Sequence, residues 1–128
     1  MERSRVFSGA PWEKEVGYCR AVKVGNQIFV SGTAPMINGN VAASGDAYGQ
    51  AKRCFEIITE ALAKLDCPLS AVVRTRMFVT DMSRWREFGK AHAEFFGEHP
   101  PATSMLEVKA LIDPAMLIEV DVDAIMSF

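Results

Sequence analysis

The stretch LIEVDVDAI, Leu117–Ile125, alternates apolar and polar side chains along its length. Because successive side chains of a β-strand point to opposite faces of a sheet, the alternation predicts a strand with one buried face and one polar face. The apolar row consists of Ile118, Val120, Val122 and Ala124, and the opposite row of Leu117, Glu119, Asp121, Asp123 and Ile125. Three carboxylates in one row need either cationic partners on a neighbouring strand or a role in chemistry.

A second alternating run offers those cationic partners. The segment VVRTRMFVT begins at Val72, is rich in β-branched residues and predicts another strand. Its alternation places Arg74 and Arg76 on one face together with Val72 and Phe78. The simpler interpretation is a set of cross-strand ion pairs on a partly hydrated sheet surface, and the alternative is a catalytic site that uses the carboxylates.

Three further strands are predicted from similar patterns. Tyr18–Val24 and Gln27–Thr33 alternate on either side of the turn dipeptide Gly25-Asn26, which predicts a hairpin. A fourth strand in chain order runs from Thr103 to about Ala110, directly after a pair of prolines. LIEVDVDAI is then the fifth and last strand.

Two helices are predicted between the strands. The loop MINGNVAASGDAYG precedes the first helix and offers Ser44 or Asp46 as its cap. The second helix has Ser83 as its predicted cap and ends before Gly97. The apolar stripes are Ala51, Cys54, Phe55, Ile58, Ala61, Leu62 and Leu65 in the first helix, and Trp85, Phe88, Ala91, His92, Phe95 and Phe96 in the second. We interpret the aromatic stripe as core rather than as a cofactor site.

The order β-β-α-β-α-β-β predicts a single α+β domain, with one mixed sheet and both helices on one face. No repeat, low-complexity tract or linker-like composition interrupts the chain, so we assign residues 1–128 to one domain, with 1–16 as an N-terminal extension or short strand. Helices on one face leave the other face uncovered. The carboxylate row is expected on that uncovered face.

Composition and charge argue against several function classes. The formal charge is −2 and no run of Lys or Arg exceeds two residues, so we expect neither a nucleic-acid nor a membrane partner. Cys19, Cys54 and Cys67 are expected to be reduced thiols rather than disulfides or zinc ligands. His92 is expected to pack in the second helix and His99 to lie at its end, rather than to bind a metal. The sequence shows no signal peptide and no apolar run of about 18 residues, which favours a cytoplasmic protein.

Four segments, taken together, resemble the YjgF/Rid family, whose founding activity is the deamination of reactive imines and enamines. They are GYCRAVKVGNQIFVSGTAP, VVRTRMFVTDM, HAEFFGEHPPATSMLEV and LIEVDVDAI, and they span about residues 17–126. The resemblance implies a chorismate-mutase-like α+β fold that assembles as a homotrimer. The sheets would form an inner barrel, the uncovered face would meet a neighbouring subunit, and small-molecule clefts would lie between subunits.

The resemblance also implies roles for individual residues. The family's carboxylate-binding position, directly after the Pro-Ala of the fourth strand, falls on Thr103, and the backbone amide donors fall on Ser104 and Met105. The acid that orients the attacking water falls on Asp121. The positions that line the rest of the cleft match Tyr18, Ser31 and Gly32.

Thr103 departs from the family pattern, in which an arginine occupies this position. One neutral hydroxyl replaces a charged, bidentate fork, which implies carboxylate binding weaker on the order of 10- to 100-fold unless another group compensates. Arg20, on the strand face of Tyr18, and Arg76 are candidates to bind an anionic group placed differently. The alternative for both arginines is an ion pair with the carboxylate row.

Three functions remain open at this point. The first is a hydrolytic enzyme for an imine, enamine or related C–N bond that needs no metal or cofactor. In it Asp121, Glu119 or Glu107 activates water, and Ser31 and Thr33 are polar contacts. The second is a non-catalytic homotrimer of the same fold that binds a small ligand or a partner. The third is an endoribonuclease-like activity, which the acidic charge disfavours.

Overall fold

The computed structural model describes residues 1–127. The strands and helices are, in chain order, β1 (Arg3–Val6), β2 (Ala21–Val24), β3 (Gln27–Thr33), β4 (Met36–Ile37), β5 (Asn40–Val41), α1 (Ala47–Ala63), β6 (Val72–Val79), α2 (Trp85–Phe96), β7 (Ala102–Glu107) and β8 (Ile118–Ile125). Short helical turns lie at Glu13–Gly17, Leu69–Ala71 and Met82–Arg84. The predicted order of strands and helices is present within this series.

A six-stranded mixed sheet runs in the order β1-β2-β3-β8-β6-β7. Neighbouring strands are antiparallel except β6 and β7, which are parallel. The apolar row of β8 is at most 1% exposed and packs in the core under α1. We call the face without helices the open face, and the carboxylate row of β8 lies on it. The predicted α+β fold, with a mixed sheet and two helices on one side, is confirmed.

The helix α1 begins and packs as the sequence predicts. The carboxylate of Asp46 accepts the backbone N–H of Gly49 at 2.9 Å and caps the helix. Every residue of its predicted apolar stripe is buried. Gln50 adds a polar anchor in this buried face, because its side-chain amide donates to the carbonyl of Ala115 at 2.9 Å and accepts the N–H of Leu117 at 2.7 Å. These two bonds fix the segment that enters β8.

The start of α2 differs from the prediction. Ser83 does not cap this helix. Its N–H and its hydroxyl both donate to the carboxylate of Asp81, at 3.0 and 2.6 Å, and Asp81 thereby caps the short helical turn Met82–Arg84 that precedes α2. That extra turn leaves Trp85 46% exposed, with its ring against the guanidinium of Arg86, so the predicted core position of Trp85 is wrong. The remaining stripe faces the core, with Phe88, Ala91 and Phe96 buried and His92 and Phe95 half-buried.

A bulge in β6 overturns one predicted pairing of faces. The register between β6 and β8 shifts between Val72 and Arg74, which inserts an extra residue into β6. Val72 is therefore buried on the helix-covered face, whereas Arg74 is exposed on the open face. The prediction that these two residues share a face is wrong, because the bulge reverses the alternation. Arg76 lies on the open face opposite Asp121.

The strand β1 lies in the segment predicted as an extension or short strand, whereas β4 and β5 lie in the segment predicted as a loop. The strand β1 pairs with β2, and β4 pairs with β5 in a small hairpin. The carbonyl of Met36 in that hairpin accepts the Nε–H of Arg53 at 2.8 Å, which ties it to α1. In contrast, β7 ends at Glu107 rather than near Ala110, because its partner β6 also ends at the register position opposite Glu107. A strand continues only as far as it has a partner.

We expect Gln50→Leu to destabilise the fold, since the change keeps most of the side-chain volume but removes both bonds to the segment before β8. The unpaired groups of Ala115 and Leu117 should lower the free energy of unfolding by about 2 kcal/mol. Urea denaturation followed by circular dichroism measures the change. The exposed neighbour Lys52→Met is the matched control and should stay within about 0.5 kcal/mol of the wild type. Equal midpoints for Gln50→Leu and the wild type would contradict the anchoring role.

Candidate functional site

Gly32 allows β3 and a carboxylate of β8 to approach closely. A bulge interrupts β3 between Val30 and Thr33, where the register with β8 shifts. The carboxylate of Glu119 occupies the space that a side chain at position 32 would need, since a Cβ built on Gly32 would lie 2.5 Å from Glu119 Oε2. Glycine at this position therefore makes room for the acid on the open face.

Arg20 contacts the same glycine. Its Nη2 donates to the carbonyl of Gly32, and its Cζ lies 5.9 Å from the centre of the Tyr18 ring. Its Nε is buried and has no hydrogen-bond partner among residues 1–127. Arg20 is thus held by the backbone and by an aromatic ring, not by an ion pair with the carboxylate row. Its charge still acts through space on Glu119.

The proton affinity of Glu119, on the open face, is altered by its surroundings. Glu119 is half-buried and takes part in none of the ion pairs formed within residues 1–127. Burial raises the pKa of its carboxyl above the ordinary value, while the charge of Arg20 lowers it and that of Asp121 raises it. A partly accessible carboxyl with a raised pKa is suited to accept and return a proton.

Arg76 engages the other predicted catalytic acid. Its Nη1 lies 3.0 Å from Asp121 Oδ1 and 3.5 Å from Asp123 Oδ2. The hydrogen bond with Asp121 is the main reason that the pKa of Arg76 is raised. The simpler interpretation of the arginines, cross-strand ion pairing, therefore describes Arg76. Asp121 is less free than Glu119 to act on a water molecule.

The two hydroxyls beside the bulge of β3 both donate to nearby backbone carbonyls. Ser31 Oγ donates to the carbonyl of Cys19 at 2.7 Å. Thr33 is 1% exposed, and its hydroxyl donates to the carbonyl of Ser31 at 2.8 Å. The structure therefore places Ser31 at the open face, whereas Thr33 lies in the interior.

Thr103 lies on the face of the sheet opposite Glu119. It pairs with Thr75 of β6, which is fully buried under α2. Thr75 Oγ1 lies 2.8 Å from Thr103 Oγ1 and 2.8 Å from His92 Nε2, and Thr103 Oγ1 lies 3.3 Å from the same nitrogen. The Thr103 hydroxyl is the exposed end of a polar chain that leads inward to His92.

His92 lies in the aromatic stripe of α2, as predicted, but it also ends this polar chain. Its ring centre lies 5.6 Å from that of Phe55 and 4.7 Å from that of Phe96. Burial lowers the pKa of His92, so the ring is neutral at pH 7. Sequence reasoning missed its polar contact. The available signal was Thr75, a polar residue at a buried position of β6.

The free edge of β7 directs backbone amides away from the sheet. Val108 donates its N–H to the carbonyl of the last residue of β6 at 2.8 Å. Because N–H groups alternate in direction along a strand, those of Thr103 and Met105 point away from β6 and that of Ser104 points toward it. Of the two predicted amide donors, only Met105 directs its N–H away from the sheet, where it meets no partner among residues 1–127. Ser104 contributes its side chain to the open face instead, opposite Arg76.

The predicted site residues thus fall into two groups. Tyr18, Arg20, Ser31, Gly32 and Glu119 meet around the bulge of β3, with Asp121 next along β8. Thr103 and Met105 lie on β7, separated from β8 by β6. The two groups do not converge within one chain.

Within residues 1–127, the cysteines are not paired and the potential metal ligands are not clustered. The three cysteines are free thiols in the structure, and burial raises the pKa of Cys54, which makes that thiol unreactive. In the same residues, His, Cys, Asp and Glu side chains form no cluster of three or more able to hold a metal ion. Neither helix of that part of the chain has the length and apolarity needed to cross a bilayer. The cytoplasmic location stays a prediction.

The same arrangement of sheet and helices is found in known proteins along nearly the whole chain. The family model for Endoribonuclease L-PSP matches residues 9–126. The chain belongs to the YjgF/Rid family. Rv2704 of Mycobacterium tuberculosis, a member of the YjgF/YER057c/UK114 family, has a crystal structure that matches with a TM-score of 0.89 and 42% identity, over 98% of this chain and 100% of that one.

Two further YjgF/Rid relatives extend the match. An uncharacterised protein of Streptomyces coelicolor is 36% identical over 120 residues, which are 94% of this chain and 90% of the relative. The 3-aminoacrylate deaminase RutC of Acinetobacter baylyi is 32% identical over 104 residues, which are 80% of this chain and 82% of the relative. The family predicted from the four sequence segments is confirmed.

We expect the stability of this YjgF/Rid protein to depend on pH through Glu119. Its folded-state pKa lies above the ordinary 4.5, so over a window that starts near 4.5 the folded chain keeps a proton that the unfolded chain has released. The free energy of unfolding therefore decreases as pH rises through this window and levels off above the folded-state pKa. Glu119→Gln should remove that decrease, whereas exposed Glu60→Gln should keep it. Urea denaturation over a pH series measures the difference, and parallel profiles for all three proteins would contradict the shift.

Proposed function

We propose that this chain is a hydrolase that adds water to the C=N bond of an imine, or of the imine tautomer of an enamine, and releases ammonia. Membership of the YjgF/Rid family and similarity to the 3-aminoacrylate deaminase RutC support this reaction class. The observation that carries the proposal is the half-buried Glu119 carboxyl beside Gly32, outside any ion pair of the described residues and near the charge of Arg20.

Glu119 acts first as a base and then as an acid. Its carboxylate accepts a proton from water while the water oxygen bonds to the imine carbon. The C=N electron pair moves to nitrogen, which takes that proton and gives a carbinolamine. Glu119 then accepts the carbinolamine hydroxyl proton and delivers it to nitrogen as the C–N bond breaks. Imine and water become a carbonyl compound and ammonia, and Glu119 returns to its starting state.

The neighbours of Glu119 support this proton transfer in different ways. The guanidinium of Arg20 supplies positive charge near the carboxylate, and its buried Nε has no hydrogen-bond partner among the described residues. Asp121, held by Arg76, raises the proton affinity of Glu119 by its negative charge. We assign the proton transfer to Glu119 and a supporting electrostatic role to Asp121.

We infer that neighbouring copies complete the site in a homotrimer. The open face and its edges carry apolar side chains that one chain leaves exposed, namely Phe29 at 44%, Leu106 at 46% and Ile125 at 48%. Exposed apolar surface of this kind is usually covered in an assembly. A ring of three chains would repeat one contact until it closes, and a small-molecule ligand, including an anionic one, would bind in the clefts between chains.

Light scattering during gel filtration should give a mass three times the 14.1 kDa of one chain. Ile125→Asp places a charge on the open face and should shift the protein toward the monomer, because a buried unpaired carboxylate is strongly unfavourable. Lys64→Asp, at the exposed end of α1 on the other side of the molecule, is the control and should leave the trimer intact. A wild-type mass equal to one chain would overturn the homotrimer.

Ammonia release from imines generated freshly from amino acids by an oxidase tests the reaction. We expect release above the buffer rate for the wild type and a loss of at least about 100-fold in Glu119→Gln, because general acid–base groups contribute about 10²–10⁴-fold. Asp121→Asn should lose less. Asp123→Asn, in the same carboxylate row, is the matched control and should stay near the wild-type rate. A Glu119→Gln protein with full activity would remove Glu119 from the mechanism.

A non-catalytic, ligand-binding homotrimer is the second candidate. The observation that favours it is Thr103, whose neutral hydroxyl bonds to Thr75 and His92 and leaves the family's arginine position without a cation. No ammonia release by wild type or any variant, together with saturable binding of a small ligand, would establish this function instead.

An endoribonuclease activity remains disfavoured, because an acidic chain with three carboxylates along one strand repels RNA phosphates. Cleavage of RNA lost in Glu119→Gln would revive it.

A further inference from the structure

A chain of three polar side chains connects the free edge of β7 with the interior. It starts at the exposed Thr103 hydroxyl, passes through the fully buried Thr75 hydroxyl at 2.8 Å, and ends at His92 Nε2 another 2.8 Å further. Buried hydroxyls are ordinarily satisfied by nearby backbone carbonyls, but Thr75 bonds only to other side chains within residues 1–127. The direction of its hydrogen bonds is therefore set by the ring.

The tautomer of His92 fixes that direction. Both partners of the ring within residues 1–127 lie at Nε2, and the rest of the ring packs against aromatic groups. Of the two ring nitrogens, Nε2 is the one with hydroxyl groups of these residues within hydrogen-bonding distance, so we assign the hydrogen to Nε2, where Thr75 accepts it. Thr75 then donates its own hydroxyl hydrogen to Thr103. Thr103 must turn its hydrogen outward, where the carbonyl of Pro101 accepts it at a long 3.4 Å.

We propose that Thr75 and His92 are positioning residues that hold the Thr103 hydroxyl as an outward donor, for an acceptor oxygen of the substrate bound at the free edge of β7. The inference rests on the proposed function for the presence of a substrate in a cleft at this edge. The outward N–H of Met105 is a second donor on the same edge. Two neutral donors select a carbonyl or carboxylate oxygen and disfavour an ammonium group.

Protonation of His92 should distinguish a charged ligand from a neutral one. A protonated ring keeps its Nε2–H, so the outward direction of the Thr103 hydroxyl does not change. Protonation does, however, place a positive charge on the ring behind that donor. The groups that face the ring are Phe55 from α1, Thr75 from β6, Thr103 from β7 and Phe96 from α2 itself. None of them titrates, and burial alone shifts the pKa of the ring. Binding of an anion, and not of its neutral analogue, should therefore strengthen as His92 is protonated.

Acetate and acetamide are matched probes for this edge, because both offer an acceptor oxygen and only acetate carries charge. We expect both to shift the backbone amide resonance of Met105 in titrations followed by nuclear magnetic resonance. Acetate, after allowance for its ionised fraction, should bind more tightly below the pKa of His92, as read from the titration of the ring's own resonances, than above it, while acetamide should bind equally at both. Acetate should raise the pKa of His92 by the same coupling, and the exposed His99 serves as the internal control ring.

Substitutions at Thr75 separate positioning from folding. Thr75→Val keeps the shape and removes the hydroxyl, so affinity for both probes should fall by about 3- to 10-fold, the loss expected for one neutral hydrogen bond. Thr75→Ser restores the hydroxyl and should restore the affinity. The nitrogen shifts of the His92 ring should show hydrogen on Nε2 in the wild type.

Each result bears on the positioning role separately from the hydrolase. An Nδ1–H tautomer, or equal probe affinities for Thr75→Val and wild type, would overturn the positioning role even if ammonia release is normal. Conversely, if the probes bind with these dependences but no ammonia is released, the positioning role would be supported and the protein would be a non-catalytic, ligand-binding homotrimer. If imines are hydrolysed, Thr75→Val should raise KM with little change in kcat, and Thr75→Ser should reverse that change.

Discussion

The buried row of β8 sets the position of every acid on the open face. Ile118, Val120 and Val122 are fully buried beneath α1, between β3 and β6. Because side chains alternate with a period of two, a slip of one residue would turn this row outward and carry Glu119 and Asp121 into the core. Unpaired carboxylates are very unfavourable there. The hydrophobic register of one strand thereby determines both the core and the candidate chemistry.

Two acids on this strand, two residues apart, have different environments because their neighbouring strands differ. Asp121 lies opposite Arg76 of β6, which reaches across and pairs with it. Glu119 lies where β3 bulges, against a glycine that has no side chain to pair with it. Its pKa is raised by burial, whereas Asp121 has a cationic partner. The proposed division of roles between the two acids rests on backbone geometry rather than on residue type.

The alternation of Leu117–Ile125 and the apolar stripe of Ala51–Leu65 were sufficient to predict the central strand and the first helix. Each rests on a simple period that packing then preserves. The bulge at Val73, beside the switch between Val72 and Arg74, was not predictable, since an inserted residue leaves no mark on composition. The capping turn at Asp81 was missed because Ser83 is an equally good cap by residue type.

The candidate site was predictable in part. Glu119, Gly32 and Arg20 were named from strand alternation and from family resemblance, and the structure brings them together. The relative freedom of Glu119 and Asp121 depends on side-chain pairing that the sequence does not specify. The bond between Thr75 and His92 joins residues from a strand and a helix, so no local pattern could reveal it.

In the part of the chain that the structure describes, the strand β7 has a backbone partner on one side only, and the helix α2 lies in the connection between β6 and β7. Strands with one row of ladder bonds open most easily, and local opening is confined to units held by few contacts. The side-chain bonds from Thr103 to Thr75 and His92 fasten this strand to the helix that delivers it. A group bound along the free edge of β7 should therefore slow the exchange of amide hydrogens with water in α2 as well as in β7.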